Sequence, residues 1–313
     1  MLIEKKFEDL FANVTSRAAL SSYFLIGKND KTAADKAAVD SMRNELNKIE
    51  MDGKIVIGEG ELDEAPMLYI GENIGTKNGP KLDIAVDPLE GTNFVANNLP
   101  GALSVIAVAN KANLFGAPET YMSKISASCS EPNVIDLDFS VKKNIYNLAE
   151  FQNKKPENLT ACVLDRPRHK EIINELKKLN VKLKLISDGD VSGALMVIDK
   201  KYSVDIFLGI GGGPEGVLAA AALDAYNCHF QGRFIFNTDK EKDRAKKMGI
   251  SDFKKKYELN EIISGDSIFC ATGITSGDLV SGIKIKENKF TSETLITHKS
   301  SGLKKIKKNE QFI

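Results

Sequence analysis

From residue 161 onward the chain alternates short β-branched runs with segments of helical period, and this alternation restricts the fold more than any other feature of the sequence. Residues 161 to 164 read as a strand, 167 to 179 as a helix and 181 to 186 as a strand. A helix near residues 191 to 198, a strand at 204 to 210 and a helix at 214 to 226, entered through a Gly-rich turn, complete the series. Strands joined by helices of this length need right-handed crossovers, so the second half is predicted to carry a largely parallel sheet with helices packed on it. The first half begins with helices. Phe7, Leu10, Phe11, Val14 and Ala18 recur at helical spacing over residues 4 to 25, ended by Gly27. Thr32 to Asp35 resembles a capping box that opens a second helix through Ala38, Met42 and Leu46 towards Gly53. Strands are then predicted at residues 54 to 58 and 82 to 86, with 102 to 109 as their sheet neighbour. At 313 residues the chain exceeds what one core usually organises, so two α/β lobes are expected, an N-terminal lobe over 1–158 and a C-terminal lobe over 159–313. The basic stretch 299 to 308 alternates as the solvated face of a final strand would.

Charge narrows the function. Lys plus Arg equals Asp plus Glu, 43 of each, so no overall field draws the protein to nucleic acid or to an anionic membrane, and neither is an expected partner. No apolar run approaches the roughly 20 residues that span a bilayer. The N-terminal MLIEKKFEDLF mixes acids and bases where a signal peptide has a basic start and an apolar block, so a cytoplasmic location is expected. Cys129, Cys162, Cys228 and Cys270 form no CxxC pair, and His169, His229 and His298 are scattered. A thiolate or imidazole metal centre is therefore not expected, and any metal chemistry falls to carboxylates and hence to hard ions.

Carboxylates gather at two predicted strand ends. Asp87-Pro88-Leu89-Glu90-Gly91-Thr92 follows one apolar run directly, with Pro88 expected to end the pairing and Gly91 to permit a tight turn. Gly58-Glu59-Gly60-Glu61, with Asp63 and Glu64, follows the other. An Asp-Pro turn or a solvated acidic loop explains either one alone. Together, four or more carboxylates at one sheet edge repel one another unless cations neutralise them, which suits Mg²⁺ or Mn²⁺. A third element, Gly209-Ile210-Gly211-Gly212-Gly213-Pro214-Glu215-Gly216, fails the dinucleotide fingerprint because Pro214 stands in place of its last Gly. It instead delivers Glu215 to a helix N-terminus.

The order GxGE, DPLEGT, GGxPEG, preceded by Asn29-Asp30-Lys31-Thr32-Ala33-Ala34-Asp35, closely resembles the class II fructose-1,6-bisphosphatases of the GlpX type. The resemblance extends through GEGELDEAPMLYIGE, the YM at Tyr121, RPRH at residues 166 to 169, ISDGDV around Asp188 and ATGITSGDL around Thr272. DPLEGT is also similar to the DPxDGT signature of lithium-sensitive sugar and inositol phosphatases, with Glu90 where most have Asp. The resemblance implies a layered α/β/α/β/α sandwich and hydrolysis of fructose 1,6-bisphosphate to fructose 6-phosphate and phosphate, dependent on two or more Mg²⁺ or Mn²⁺ ions. It implies Asp35, Glu59, Asp87, Leu89 (through its carbonyl), Glu90 and Glu215 as metal ligands, and Thr92 with Asp35 as the pair that orients water for in-line attack. Lys31, Glu90, Gly91, Thr92, Tyr121, Arg166, Arg168, Asp188, Asp190 and Gly212 are implied to hold the sugar phosphate, with the arginines on the 6-phosphate. A homo-oligomer, dimer or tetramer, is implied as well. Two departures, a shorter stretch from 233 to 248 and an earlier C-terminus, bear on subunit contacts rather than on chemistry.

Other readings differ from this one in testable ways. Asp136-Leu137-Asp138-Phe139-Ser140 partly matches the DxDx[TV] nucleophile motif of haloacid-dehalogenase-like enzymes, with Ser in place of Thr or Val. Sedoheptulose 1,7-bisphosphatase and inositol monophosphatase activities would use the same metal core, and a non-catalytic sugar-phosphate sensor would keep the pocket without turnover.

Overall fold

A computed structural model describes residues 2–58, 67–129 and 131–313. The chain opens with α1 (Lys6–Tyr23) and α2 (Lys31–Leu46), runs through β1 (Asp52–Ile57), β2 (Asn73–Ile74) and β3 (Lys81–Glu90), turns in the short α3 (Thr92–Ala96) and returns along β4 (Leu103–Asn110). It continues through β5 (Tyr121–Ala127), α4 (Val141–Phe151), β6 (Thr160–Leu164), α5 (Lys170–Lys178), β7 (Lys182–Ile186), α6 (Asp190–Leu195), β8 (Ile206–Gly212) and α7 (Gly213–Ala225). Then come β9 (His229–Ile235), α8 (Asp239–Lys247), β10 (Tyr257–Glu258) and α9 (Leu259–Ile262), and the chain closes with β11 (Ser267–Gly273), β12 (Lys284–Lys286), β13 (Lys289–His298) and β14 (Leu303–Phe312).

Two compact units result, and their boundary is not at residue 158. One unit combines Met1–Gly116 with Ile263–Ile313, and the other is Ala117–Ile262. The reason is hydrogen bonding: β4 has an open edge, and β11 pairs along its whole length in antiparallel register, from Ser267 opposite Ala109 to Gly273 opposite Leu103. The last fifty residues thus belong to the sheet that the first hundred begin.

The first unit is an eight-stranded sheet in the order β12-β13-β11-β4-β3-β1-β2, with β14 pairing β13. α1 and α2 pack together on it, and Phe7, Phe11, Val14, Ala38 and Met42 meet Ile84, Val86, Ile106, Ile268 and Ile296 in one apolar core. Hydroxyls cross the same interface: Thr15 bonds Thr272 at 2.7 Å, and Ser16 bonds Ser292 at 3.0 Å. Buried hydroxyls tolerate the apolar surroundings because each has a partner. α2 starts at Lys31, and its cap is Asp30, whose carboxylate accepts from the Ala33 amide at 2.9 Å. The expected Thr32 capping box is therefore displaced by two residues, since Asp30 already satisfies one of the exposed amides. β14 keeps Lys304, Lys305 and Lys308 exposed, although Ile306 is exposed as well, so the expected alternation is not strict.

The second unit has a six-stranded sheet in the order β10-β9-β5-β8-β6-β7. β6 pairs in parallel with β7 and β8, as the alternation predicts, but β5 enters antiparallel between β8 and β9 and makes the sheet mixed. One face carries Ile125, Ala127, Ala161, Val163, Ile206 and Leu208 under Ile145 and Leu148 of α4 and Ile173 and Leu176 of α5. α6 packs on β6 and β8, where Phe207 lies close to Gly193, and α7 packs on β5, β8 and β9. α7 is apolar around its whole circumference, and its residues from Gly216 to Ala225 are all buried, as an all-round apolar helix must be. One unit has a helix layer on its sheet and the other has helices on both faces of its sheet, which is the expected mixed α/β class.

Replacing Asp30 by Ala removes the α2 cap and is expected to lower stability by about 1 kcal/mol, read as a shift in the urea midpoint with unchanged slope. An unchanged midpoint would show that the cap contributes nothing.

Candidate active site

Asp87 and Glu90 lie three residues apart on one strand, a spacing that in a regular strand places side chains on opposite faces. The strand is not regular there. Asp87 faces Val105 of β4 and Glu90 faces Leu103, so β3 has one residue more than its partner between these pairs. This bulge lets both Val86 and Leu89 join the apolar core under α1 and α2, and consequently turns both Asp87 and Glu90 to the other face. Pro88 does not end the strand, as its sequence position suggests, because the bulge needs no amide there. Glu90 is buried and Asp87 half-buried. Carboxylate and carbonyl oxygens are the donor type that hard divalent cations take, so the residue types here fit such an ion.

Gly91 then turns the chain with φ of +82°, and a Cβ there would meet the Phe94 ring at 2.7 Å, so only glycine fits. Thr92 follows as the first residue of α3. The turn between α1 and α2 is bonded to α3: the Gly27 amide donates to the Val95 carbonyl at 2.8 Å and the Asn29 amide to the Ala96 carbonyl at 2.9 Å. α2 packs on α3, bringing the helix that carries Lys31 and Asp35 beside the one that carries Thr92. Lys31 is exposed and Asp35 half-buried one turn further on. Of the expected ligands Glu59 lies outside the described residues, as do Glu61, Asp63 and Glu64. Among the described residues no three His, Cys, Asp or Glu side chains converge as a complete metal cage.

In the second unit the remaining predicted residues gather at the ends of β6, β7 and β8 and the start of β5. Arg168 stacks over the Tyr121 ring at 4.9 Å and donates from Nε to the Ile210 carbonyl at 3.0 Å. Arg166 reaches to 3.8 Å of Asp188. His169, between these arginines and the sheet, is fully buried. The Ile210 amide donates to its Nε2 at 2.7 Å, so the ring proton sits on Nδ1, which donates to the Leu164 carbonyl at 2.7 Å. Burial keeps this imidazole below its usual pKa and neutral. It is a strut that fixes the arginine-bearing turn against β8, and its role was not apparent from a scattered histidine count.

The Gly-rich turn has a steric explanation. A Cβ on Gly211 would overlap the Asp190 carboxylate, and one on Gly212 would overlap that of Glu215. Glycine at these positions leaves room for acids. Asp190 begins α6 and forms a buried ion pair with Lys124, whose ammonium also donates to the Gly212 carbonyl at 2.7 Å. Glu215 stands in the first turn of α7. Burial pushes its carboxyl above the usual range, Asp190 adds to the rise, and Lys124 pulls against it. Lys124 is the residue the motif reading lacks, although a lone charge within the apolar run of β5 is a visible signal.

The Asp136 to Ser140 segment is structural. Asp136 accepts from Lys256 at 2.6 Å and from Gln231 at 3.2 Å, Asp138 pairs with Arg233 at 2.6 Å, and Ser140 caps α4. Against the cost of burial, the Lys256 hydrogen bond holds the Asp136 carboxyl below the usual carboxylate range. An aspartate so engaged is not poised as a nucleophile.

Comparison with known proteins agrees with the motif order. The chain is 42% identical over 311 residues to fructose-1,6-bisphosphatase 1 class 2 of Escherichia coli, covering 95% of this chain and 92% of that protein. It is 40% identical over 313 residues to the D-fructose 1,6-bisphosphatase class 2/sedoheptulose 1,7-bisphosphatase of Trichodesmium erythraeum, covering 92% and 91%. Among solved structures, the inositol monophosphatase of Anabaena superposes with a TM-score of 0.33 at 12% identity, covering 62% of this chain and 71% of that one. Residues 6–311 match the family described as bacterial fructose-1,6-bisphosphatase, glpX-encoded, and the chain belongs to that family.

Proposed function

We propose that the protein hydrolyses the 1-phosphate ester of fructose 1,6-bisphosphate, with Mg²⁺ or Mn²⁺ as the required ion. The observation that carries the reading is a family match over residues 6–311 in a chain whose DPLEGT bulge places Asp87 and Glu90 on one face. Water attacks phosphorus, the bond from phosphorus to the C1 oxygen breaks, and the leaving alkoxide takes up a proton, giving fructose 6-phosphate and inorganic phosphate. Phosphate monoesters are among the slowest of substrates unaided, so charge on the phosphoryl oxygens and the leaving oxygen has to be neutralised. The divalent ions supply that neutralisation when bound.

The chain's own residues hold and orient. Asp35, Glu59, Asp87, Glu90, Glu215 and the Leu89 carbonyl are proposed as the ligands. The Thr92 hydroxyl, donating to Asp35, accepts from the attacking water and aligns it opposite the leaving oxygen. Arg166 and Arg168 are proposed to take the distal phosphate through their forked donors, and Asp188 and Asp190 to accept from sugar hydroxyls. Lys31, Tyr121, Gly91 and Gly212 are proposed as further contacts to the sugar phosphate. The even charge balance supports a small-molecule substrate rather than nucleic acid or a membrane. A cytoplasmic homo-oligomer, dimer or tetramer, is proposed from the motif resemblance; among the described residues no helix is long and apolar enough to cross a membrane. Sedoheptulose 1,7-bisphosphate is the second candidate substrate, favoured by the name of the Trichodesmium relative.

Three outcomes are expected. Protein stripped with chelator releases no phosphate from fructose 1,6-bisphosphate and regains turnover with Mg²⁺ or Mn²⁺, ahead of sedoheptulose 1,7-bisphosphate and inositol 1-phosphate run in parallel. Bound substrate without phosphate release by metal-replete protein would instead indicate a sensor. Thr92→Ala lowers kcat by roughly 10²- to 10⁴-fold while Thr92→Ser keeps a measurable share, and equal activity of Thr92→Ala and wild type would refute the water-orienting role. Glu215→Gln weakens Mn²⁺ binding in calorimetry by at least about tenfold, and unchanged affinity would remove Glu215 from the ligand set.

A further inference from the structure

Lys124 is among the largest fully buried side chains of the protein, and it lies mid-strand in β5, opposite Gly209 of β8 and Gly232 of β9. An ammonium in such a place is costly unless paired and hydrogen-bonded, and a methionine of similar length would fill the same volume without that cost. The fold instead makes room for the lysine. A Cβ on Gly216 would stand 3.1 Å from its Cδ, and one on Gly211 would stand 3.1 Å from its Nζ. The stem therefore passes over the first turn of α7, and the ammonium arrives at two groups from different elements, the Asp190 carboxylate at the start of α6 and the Gly212 carbonyl at the end of β8. Both are groups that the proposed function assigns to the sugar phosphate.

We infer that Lys124 is a positioning residue for substrate: it holds Asp190 and the Gly212 backbone in one fixed arrangement and supplies the Asp190 countercharge. The inference deepens the proposed function and rests on it. Lys124 engages Oδ2 of Asp190, and a carboxylate has acceptor capacity beyond one such bond, enough to take a sugar hydroxyl as well. Loss of the ammonium would let the start of α6 and the end of β8 settle independently, so the damage should appear in sugar recognition rather than in the hydrolytic step.

The test is Lys124→Met in the metal-replete full chain, assayed on fructose 1,6-bisphosphate and on p-nitrophenyl phosphate, which offers no sugar hydroxyls. KM for the bisphosphate should rise about ten- to hundredfold, the range of a lost charge-assisted hydrogen bond, with kcat changed less than about threefold. Turnover of p-nitrophenyl phosphate should stay within about threefold of wild type. An unchanged KM, or equal loss on both substrates, would overturn the inference. Should Lys124→Met fail to fold, Lys124→Met combined with Asp190→Asn removes the orphaned charge, and its KM for the bisphosphate should exceed that of Asp190→Asn alone, because the Gly212 carbonyl loses its donor as well. A double variant clearly worse than Asp190→Asn on both substrates would also overturn it. Wild type that hydrolyses p-nitrophenyl phosphate but not fructose 1,6-bisphosphate would defeat the substrate reading itself, and the lysine's role with it, before any variant is compared.

Discussion

Carboxylates held out of water must be compensated, and much of the local architecture follows from how this protein meets that constraint. Asp87 and Glu90 share a face only because β3 takes one extra residue opposite β4. Asp190 is compensated by a lysine that the strand interior would otherwise exclude. Glu215 keeps a raised pKa because burial and Asp190 outweigh Lys124. An acid in that state gains from a cation, whereas Asp136 and Asp138, already paired with Lys256 and Arg233, do not.

The glycines serve the same constraint. In the stretch from Gly209 to Gly216 they do not cradle a dinucleotide; at Gly211 and Gly212 they leave the space that the Asp190 and Glu215 carboxylates occupy. Gly91 turns the chain into α3 where the Phe94 ring excludes any larger residue. Glycine loses more conformational freedom on folding than other residues, so a cluster of it has to be offset by packing nearby. The all-round burial of α7 and the His169 strut between Leu164 and Ile210 supply that packing.

The elements themselves were largely legible. Apolar periodicity located α1, α2 and α5, and short apolar runs and the Gly-rich turn located β6, β7 and α7, to within a few residues, because amphipathic spacing and turn residues report locally on buried faces and element ends. The motif order was equally legible, since acids at strand ends and a Gly-rich helix entry stand out against any composition. Less visible were the bulge at Pro88, the cap at Asp30 and the lysine at position 124. Each depends on a partner far along the chain or on local backbone geometry that residue types alone do not specify.

By itself, then, the sequence located helices α1, α2, α5 and α7 and strands β1, β3, β4, β6, β7 and β8, and told to which family the chain belongs, because these are local or ordered properties. Tertiary structure alone decided that residues 263–313 complete the first sheet, that β5 enters the second sheet antiparallel, and that Lys124 reaches Asp190 across 66 residues of chain. Strand pairing and buried ion pairs are settled by which open edges and unpaired charges remain after collapse. That competition is between distant parts of the chain, and no local pattern records its outcome.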